Sequence, residues 1–280
     1  MQYVEDRRDA VEQRLAAVLD DTKPPELTEE MQSVALSGGK RVRPTLTLLV
    51  CEALDGDSDD ALDFAAGIEL VHNASLVVDD VIDRSDTRRG SKSAWAAYGH
   101  GPALLASDGL LGEAFKLFSN DPRAMETVAD AMVELGQGEA TELTDRPTTE
   151  TEYMELARRK TGALFRAAAE LGAIASDSHP ETIRALGDYA EYVGIAFQLR
   201  DDVLDEIAAS EEIGKPTGVD KKLDRPSILQ VTERTPEEVT ALARGQSAAA
   251  LNILDDVDVP DSDARCYLEE LARFVVDRDQ

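Results

Sequence analysis

Two short stretches repeat one arrangement of carboxylates. DDVID (79–83) and DDVLD (201–205) each place Asp at positions i, i+1 and i+4. On a helix, at about 100° per residue, positions i and i+4 share a face. Asp79 therefore aligns with Asp83, with Asp80 beside them. Gln198, Asp201, Asp202 and Asp205 line one side of the later helix in the same way. Such sets of hard oxygen donors suit Mg²⁺, which binds through one or two carboxylates, several waters and a substrate phosphate. Two such helices facing each other would hold a group of Mg²⁺ ions around a diphosphate. His72 stands seven residues before Asp79, on the same face and about 10 Å down the axis.

Context decides how much each match means. In a chain this rich in Asp, a lone DDxxD arises by chance roughly 0.4 times. A third match, DDALD (59–63), comes after DGDS and opens a helix, where acidic side chains cap free N–H groups and suit the helix dipole. It is read as a cap. DDVID and DDVLD instead close long apolar helices, where carboxylates oppose the dipole. A cationic partner is therefore expected for each.

Cations do stand nearby. SGGKRVRP (37–44) sets Lys40, Arg41 and Arg43 behind two glycines, an arrangement that lets backbone and side chains grip a polyanion. Arg88 and Arg89 come soon after the first acidic cluster. RRKTGALF (158–165) adds Lys160 and Thr161, and GKPTG (214–218) adds Lys215. No GxxxxGK[ST] is present, so this is not a Walker loop.

The rest of the chain must position these groups. Apolar residues recur at helical spacing over 10–20, 61–83, 103–118, 124–143, 153–175, 181–208, 237–256 and 262–277. TKPP, SGG, DGDSDD, SNDP, DRPT, SDSHP and GKPTGVDKKLDRP separate them. No alternating strand or βαβ pattern stands out. The expectation is a single all-α domain over 1–280, a bundle of long helices with 61–83 and 181–208 central. No apolar run approaches 18 residues, so no transmembrane segment is expected, and the charged N-terminus is unlike a secretory signal.

Net charge is −28 over 280 residues, with 57 acidic and 29 basic side chains. Such a surface repels nucleic acid and anionic membrane. Eight Lys among the basic residues suggest a cytoplasm of high salt, where screening length falls to about 3 Å at 1 M, and hence a halophilic source. Cys51 and Cys266 have neither metal spacing nor a disulfide framework and fit a reducing cytoplasm.

Taken in order, GGKRVRP, ELVHNASLVVDDVID…RRG, GQGEATEL (136–143), KTGALF, FQLRDDVLD and GKPTGVD resemble the trans-isoprenyl diphosphate synthases of the polyprenyl synthetase family, over about residues 30–230. The resemblance implies helices around a central cavity. It implies three Mg²⁺ held with the allylic diphosphate by Asp79, Asp80, Asp83, Asp201, Asp202 and Asp205. Lys40, Arg43, His72 and Arg89 would hold isopentenyl diphosphate. Arg88, Lys160, Thr161, Gln198 and Lys215 would hold the allylic diphosphate, with Asp79, Asp83, Lys160 and Asp201 closest to the chemistry. A homodimer is implied too. Arg225 falls where relatives carry a lysine, and Lys221 or Lys222 are alternatives for that contact.

Relatives that make C15 products often carry aromatics just before the first Asp cluster, as a floor for the growing tail. Here the floor positions are Ala74 and Ser75, both small. The tail should pass deeper, toward Val71, Ile68, Phe115 or Phe118, to a product of C20 or longer. Two other readings are a non-catalytic partner subunit of a heteromeric synthase and a terpene cyclase. Such subunits usually lack one acidic cluster, and cyclases lack the GGKRVRP cradle and line their cavities with aromatics, which are 5% here.

Overall fold

A computed structural model describes residues 2–20, 22–212 and 226–277, the side chains of 208–212 excepted. Helices dominate them, as the periodicity implies. Two-residue strands, β1 (Thr87–Arg88) and β2 (Ser91–Lys92), are the only strands among the described residues. The chain divides into two compact units: residues 1–128 with 170–178, and residues 129–169 with 179–280.

The first unit is built around α4 (Ser58–Asp83), which packs against α1 (Gln2–Asp20), α2 (Pro25–Ala35), α3 (Val42–Ala53), α5 (Ala94–Tyr98) and α6 (His100–Phe118). Its middle buries Ala65, Ala66, Ile68, Leu70, Val71, Ala74 and Val77. Each large apolar side chain so buried contributes about 1.5–3 kcal/mol. The Phe118 ring lies where a Cβ on Gly67 would sit, 2.5 Å away, so only glycine admits it. DDALD does open the helix, with Asp59 and Asp60 in the first turn, but the cap is Asp57 just before it, whose side chain accepts the Asp59 N–H at 3.0 Å. Contrary to the run-length reading, α4 does combine the length and apolarity of a membrane span. Of that apolar window, 67% is buried within the protein, as in a core helix.

The second unit is built around α10 (Pro180–Glu212), which packs on α8 (Glu150–Ala157), α12 (Pro236–Asp256) and α13 (Asp263–Asp277). The buried Tyr189 hydroxyl donates to the Leu268 carbonyl at 2.6 Å, tying α10 to α13. Two expectations change here. The single helix expected over 153–175 is interrupted: α8 gives way to a π-helical turn, Arg158–Gly162, before α9 (Ala163–Ala175). In addition, α10 continues past DDVLD to Glu212, so those aspartates lie within the helix and the dipole argument applies only to DDVID.

Candidate functional site

In the first unit, two irregular segments bring cations to α4. The loop after α2 runs through Gly38 (φ 83°), Gly39 (φ 129°) and Arg41 (φ 50°). Glycine tolerates these angles, while Arg41 is held in the left-handed region by its contacts. Its buried guanidinium donates to Glu69 on α4 at 2.7 Å and to the Ala35 carbonyl at 2.7 Å, with Glu12 at 3.4 Å. The second segment is the β1–β2 hairpin. Arg89 (φ 53°) and Gly90 (φ 78°) both have positive φ, the hallmark of a type I′ turn. Arg88 points back to Asp80, with Nε 3.0 and 3.1 Å from its two carboxylate oxygens. This is the cationic partner expected for DDVID.

Arg89 meets the glycine loop. It donates to the Gly38 carbonyl, and more weakly to Ser37 Oγ at 3.5 Å and Asn73 Oδ1 at 3.4 Å. A Cβ on Gly39 would lie 3.0 Å from the guanidinium carbon, so Gly39 gives Arg89 its room. Arg43 lies 3.2 Å from His72 Nε2. Burial, then Arg43, Arg89, Arg88 and Arg41, holds the His72 pKa well below the ordinary value, so the ring is neutral and accepts from Arg43. Arg43, His72 and Arg89 are thus gathered on the helix that carries DDVID. Lys40 is exposed in the same loop.

Of the DDVID carboxylates, Asp80 is buried, while Asp79 and Asp83 are partly exposed. Ser75 is also partly exposed, and its hydroxyl donates to the His72 carbonyl at 2.8 Å. Ala74 is 1% exposed, and its carbonyl accepts from Ser107 on α6 at 3.1 Å. Phe118 is buried against Phe64, with ring centroids 6.0 Å apart, whereas Phe115 is exposed.

In the second unit, the π-turn presents Lys160 and Thr161. Lys160 pairs with Glu142 and, at 2.9 Å, with Glu139, both from GQGEATEL on α7 (Pro122–Thr144). Burial opposes its charge, yet the attraction of Glu142 and Glu139 outweighs burial and raises its pKa. Gly138 allows the approach: a Cβ there would meet Lys160 Cγ at 2.9 Å. Thr161 donates to Gln198 Oε1 at 2.8 Å, and Gln198 donates to Asp202 at 3.0 Å. Asp202 also accepts the Tyr153 hydroxyl and the Ile228 N–H, the latter at 2.8 Å. Burial pushes the Asp202 pKa up to about 6, only partly offset by these hydrogen bonds. Asp201 is partly exposed and Asp205 exposed. Lys215, Lys221, Lys222 and Arg225 lie outside the described residues.

The donor chemistry fits Mg²⁺. Both clusters offer carboxylate oxygen only, and among the described residues no three His, Cys, Asp or Glu side chains form a ready-made cage. Carboxylate oxygens suit an ion that keeps waters and takes part of its shell from substrate phosphates. Residue types alone had not singled out Glu69, Asn73, Tyr153, Glu139 or Glu142. Glu69 and Asn73 sit inside ELVHNASLVVDDVID, and Glu139 and Glu142 stand one turn apart inside GQGEATEL, whereas Tyr153 lies in none of the quoted motifs.

The profile of a family described as Polyprenyl synthetase matches residues 24–251. A short chain isoprenyl diphosphate synthase of Methanothermobacter thermautotrophicus is 36% identical over 238 residues, 81% of this chain and 73% of that one. A geranylgeranyl pyrophosphate synthase of Geoglobus acetivorans is 32% identical over 99% of both chains. Among solved structures, a decaprenyl diphosphate synthase from Rhodobacter capsulatus superposes with a TM-score of 0.89 at 29% identity, covering 100% of this chain and 98% of its own. A polyprenyl synthase from Caulobacter crescentus, complexed with calcium and isoprenyl diphosphate, gives 0.87 at 29% identity, covering 100% and 97%. The chain belongs to the polyprenyl synthetase family and is an isoprenyl diphosphate synthase, a trans-prenyltransferase.

Proposed function

We propose that the protein condenses isopentenyl diphosphate with an allylic diphosphate, in a Mg²⁺-dependent reaction, to a trans-polyprenyl diphosphate of C20 or longer. The observation that carries this is the gathering of Arg43, neutral His72 and Arg89 on the helix that ends in DDVID. A diphosphate held there would meet two guanidinium groups and an imidazole, with Lys40 close by in sequence.

Six carboxylates would hold the metal: Asp79, Asp80 and Asp83 on α4, and Asp201, Asp202 and Asp205 on α10. When bound, Mg²⁺ neutralises the charge that builds on the departing diphosphate. Arg88, Lys160, Thr161, Gln198 and Lys215 bind the allylic diphosphate and orient it. Fixed charges in place before reaction lower the barrier to C–O cleavage without reorganising. The double bond of isopentenyl diphosphate then forms the new C–C bond, and the released diphosphate takes the proton. No side-chain base is required.

Small, buried Ala74 supports the longer product, as do the geranylgeranyl, geranylfarnesyl and octaprenyl synthases among the relatives. Treating 1–280 as one catalytic domain belongs to the same reading, supported by a single family match that runs through residues of both units. So do a homodimer and a cytoplasmic site of action, on the resemblance. The test is incubation with Mg²⁺, labelled isopentenyl diphosphate and C5, C10 or C15 primers in high salt, with products sized by chromatography. Products of C20 or more are expected. C15 as sole product overturns the length, and no incorporation with any primer overturns the activity.

A further inference from the structure

A cavity of about 320 Å³ opens within the first unit, between α2, α4, the β1–β2 hairpin and α5. That size lies at the small end of ligand sites. Its α4 wall is Asn73, Leu76, Val77 and Asp80. Of the α4 residues placed in the substrate site above, His72, Ser75, Asp79 and Asp83 form the other set, while Asp80 belongs to the cavity wall. Taken at 100° per residue, the two sets point roughly 100° apart around the helix. Lys40, Arg43 and His72 do not line the cavity, so it adjoins the isopentenyl diphosphate position proposed above and shares Arg89 with it.

Its chemistry is anion-binding. Arg88, Arg89 and Lys92 line it, with Asp80 as the one carboxylate among the lining residues. Arg88 is matched by Asp80. Arg89 has only neutral oxygen acceptors, and Lys92 has no carboxylate partner among the described residues. Glu69 and Asp80 attract Arg89 only through space, and two cations without a hydrogen-bonded carboxylate in a chain of net charge −28 are a marked local departure. Ser93 adds an independent sign. It lines the cavity, is 2% exposed and occupies the N-cap position of α5, yet it caps no N–H. Its buried Oγ finds no hydrogen-bond partner among the described residues. A buried hydroxyl left unsatisfied costs about 1–3 kcal/mol, which a ligand oxygen would relieve.

We propose that this cavity is a second anion site, taking the diphosphate group of a small ligand on Arg89, Lys92 and Ser93. The choice of diphosphate over other dianions rests on the function proposed above. The group has two sources: inorganic pyrophosphate released by the reaction, or a short prenyl diphosphate whose tail meets Leu76, Val77, Ala94 and Ala97. Occupancy draws Arg89 from Gly38 and competes with Asp80 for Arg88. The ligand therefore weakens isopentenyl diphosphate binding, as a brake by reaction product.

The test is calorimetric titration of the full chain with inorganic pyrophosphate in EDTA, for wild type, Lys92→Glu, Lys92→Arg and Arg43→Ala, each checked by circular dichroism. With EDTA withholding the metal that the allylic position needs, wild type should show two binding events. Lys92→Glu should weaken one at least tenfold, Lys92→Arg should retain it, and Arg43→Ala should remove only the other. A single event, abolished by Arg43→Ala and unmoved by Lys92→Glu, overturns the proposal. Displacement of pyrophosphate from Arg43→Ala by a prenyl thiolodiphosphate separates the sources: tighter binding of the tailed probe identifies a prenyl ligand, equal or weaker binding identifies pyrophosphate. Because the readout is binding, two events in an enzyme that makes no product would sink the proposed activity and leave the site standing.

Discussion

The two acidic clusters share a pattern and differ in how their middle carboxylates are satisfied. Asp80 lies near the C-terminal end of α4 and is met by a cation, Arg88, delivered by a two-residue hairpin. Asp202 lies inside α10 and is met by neutral donors: a tyrosine hydroxyl, an amide and a backbone N–H. At a helix C-terminus the dipole adds to the negative charge, and a full positive charge is the economical remedy. Within a helix that pressure is absent. Neutral donors then suffice, at the cost of a carboxyl whose pKa rises to about 6. The same five-residue motif therefore leaves Asp202 easier to protonate than an ordinary aspartate.

The strongest way to break the comparison is to remove an outer carboxylate proposed to hold metal. Asp79→Ala and Asp201→Ala should each lower kcat by about 10³-fold or more, with helical circular dichroism unchanged. If one variant stays active, the clusters are not equivalent partners in the reaction.

Next comes protonation of Asp202. Its folded-state pKa of about 6 exceeds the ordinary 3.8, so the folded protein binds more protons between those values. Stability from this group is greatest at low pH and falls as pH rises from about 4 through 6, by up to about 3 kcal/mol. Urea unfolding from pH 4 to 7.5 should show that decline relative to Asp202→Asn, about half of it above pH 5. A difference that grows in the opposite direction would contradict the assignment.

Removing each middle carboxylate's partner sharpens the contrast. Arg88→Ala and Tyr153→Phe should each cost about 1–3 kcal/mol in urea unfolding, because a buried acceptor loses a donor. Only the arginine variant should show a loss that added salt reduces, since only that pair is ionic on both sides. The smallest expected effect is that of Gly39→Ala, which crowds Arg89. KM for isopentenyl diphosphate should rise about tenfold with KM for the allylic primer little changed. Equal changes in both would show that Arg89 does not distinguish the substrates.

Much of the site was legible in the chain. GGKRVRP, DDVID and RRG declare their chemistry through residue type, and the structure brings Arg43, His72, Arg88 and Arg89 to α4. Helical spacing placed most of the long helices to within a few residues, but α1 begins eight residues before its apolar repeat, and α2 and α3 were not among the expected segments. Long-range partners were hidden: Tyr153 lies 49 residues from Asp202, and Arg41 lies 28 from Glu69. Such pairings depend on packing and leave no local periodicity. The hairpin escaped notice because strands of two residues cannot show alternation. The end of α10 was misjudged because a dense acidic run resembles a terminus.

The π-helical turn at Arg158–Gly162 carries one residue more than ordinary winding requires. Deleting one residue there would let the backbone wind normally: the flanking turns would stay in phase, but residues of the turn itself, Thr161 and Gly162 among them, would be displaced by up to about 100° around the axis. Thr161 would swing away from Gln198, and Gly162 would lose its close seat against Gly194, where a Cβ would already lie 3.1 Å from its Cα. The segment should therefore tolerate exchanges of surface residues far better than any change in its length.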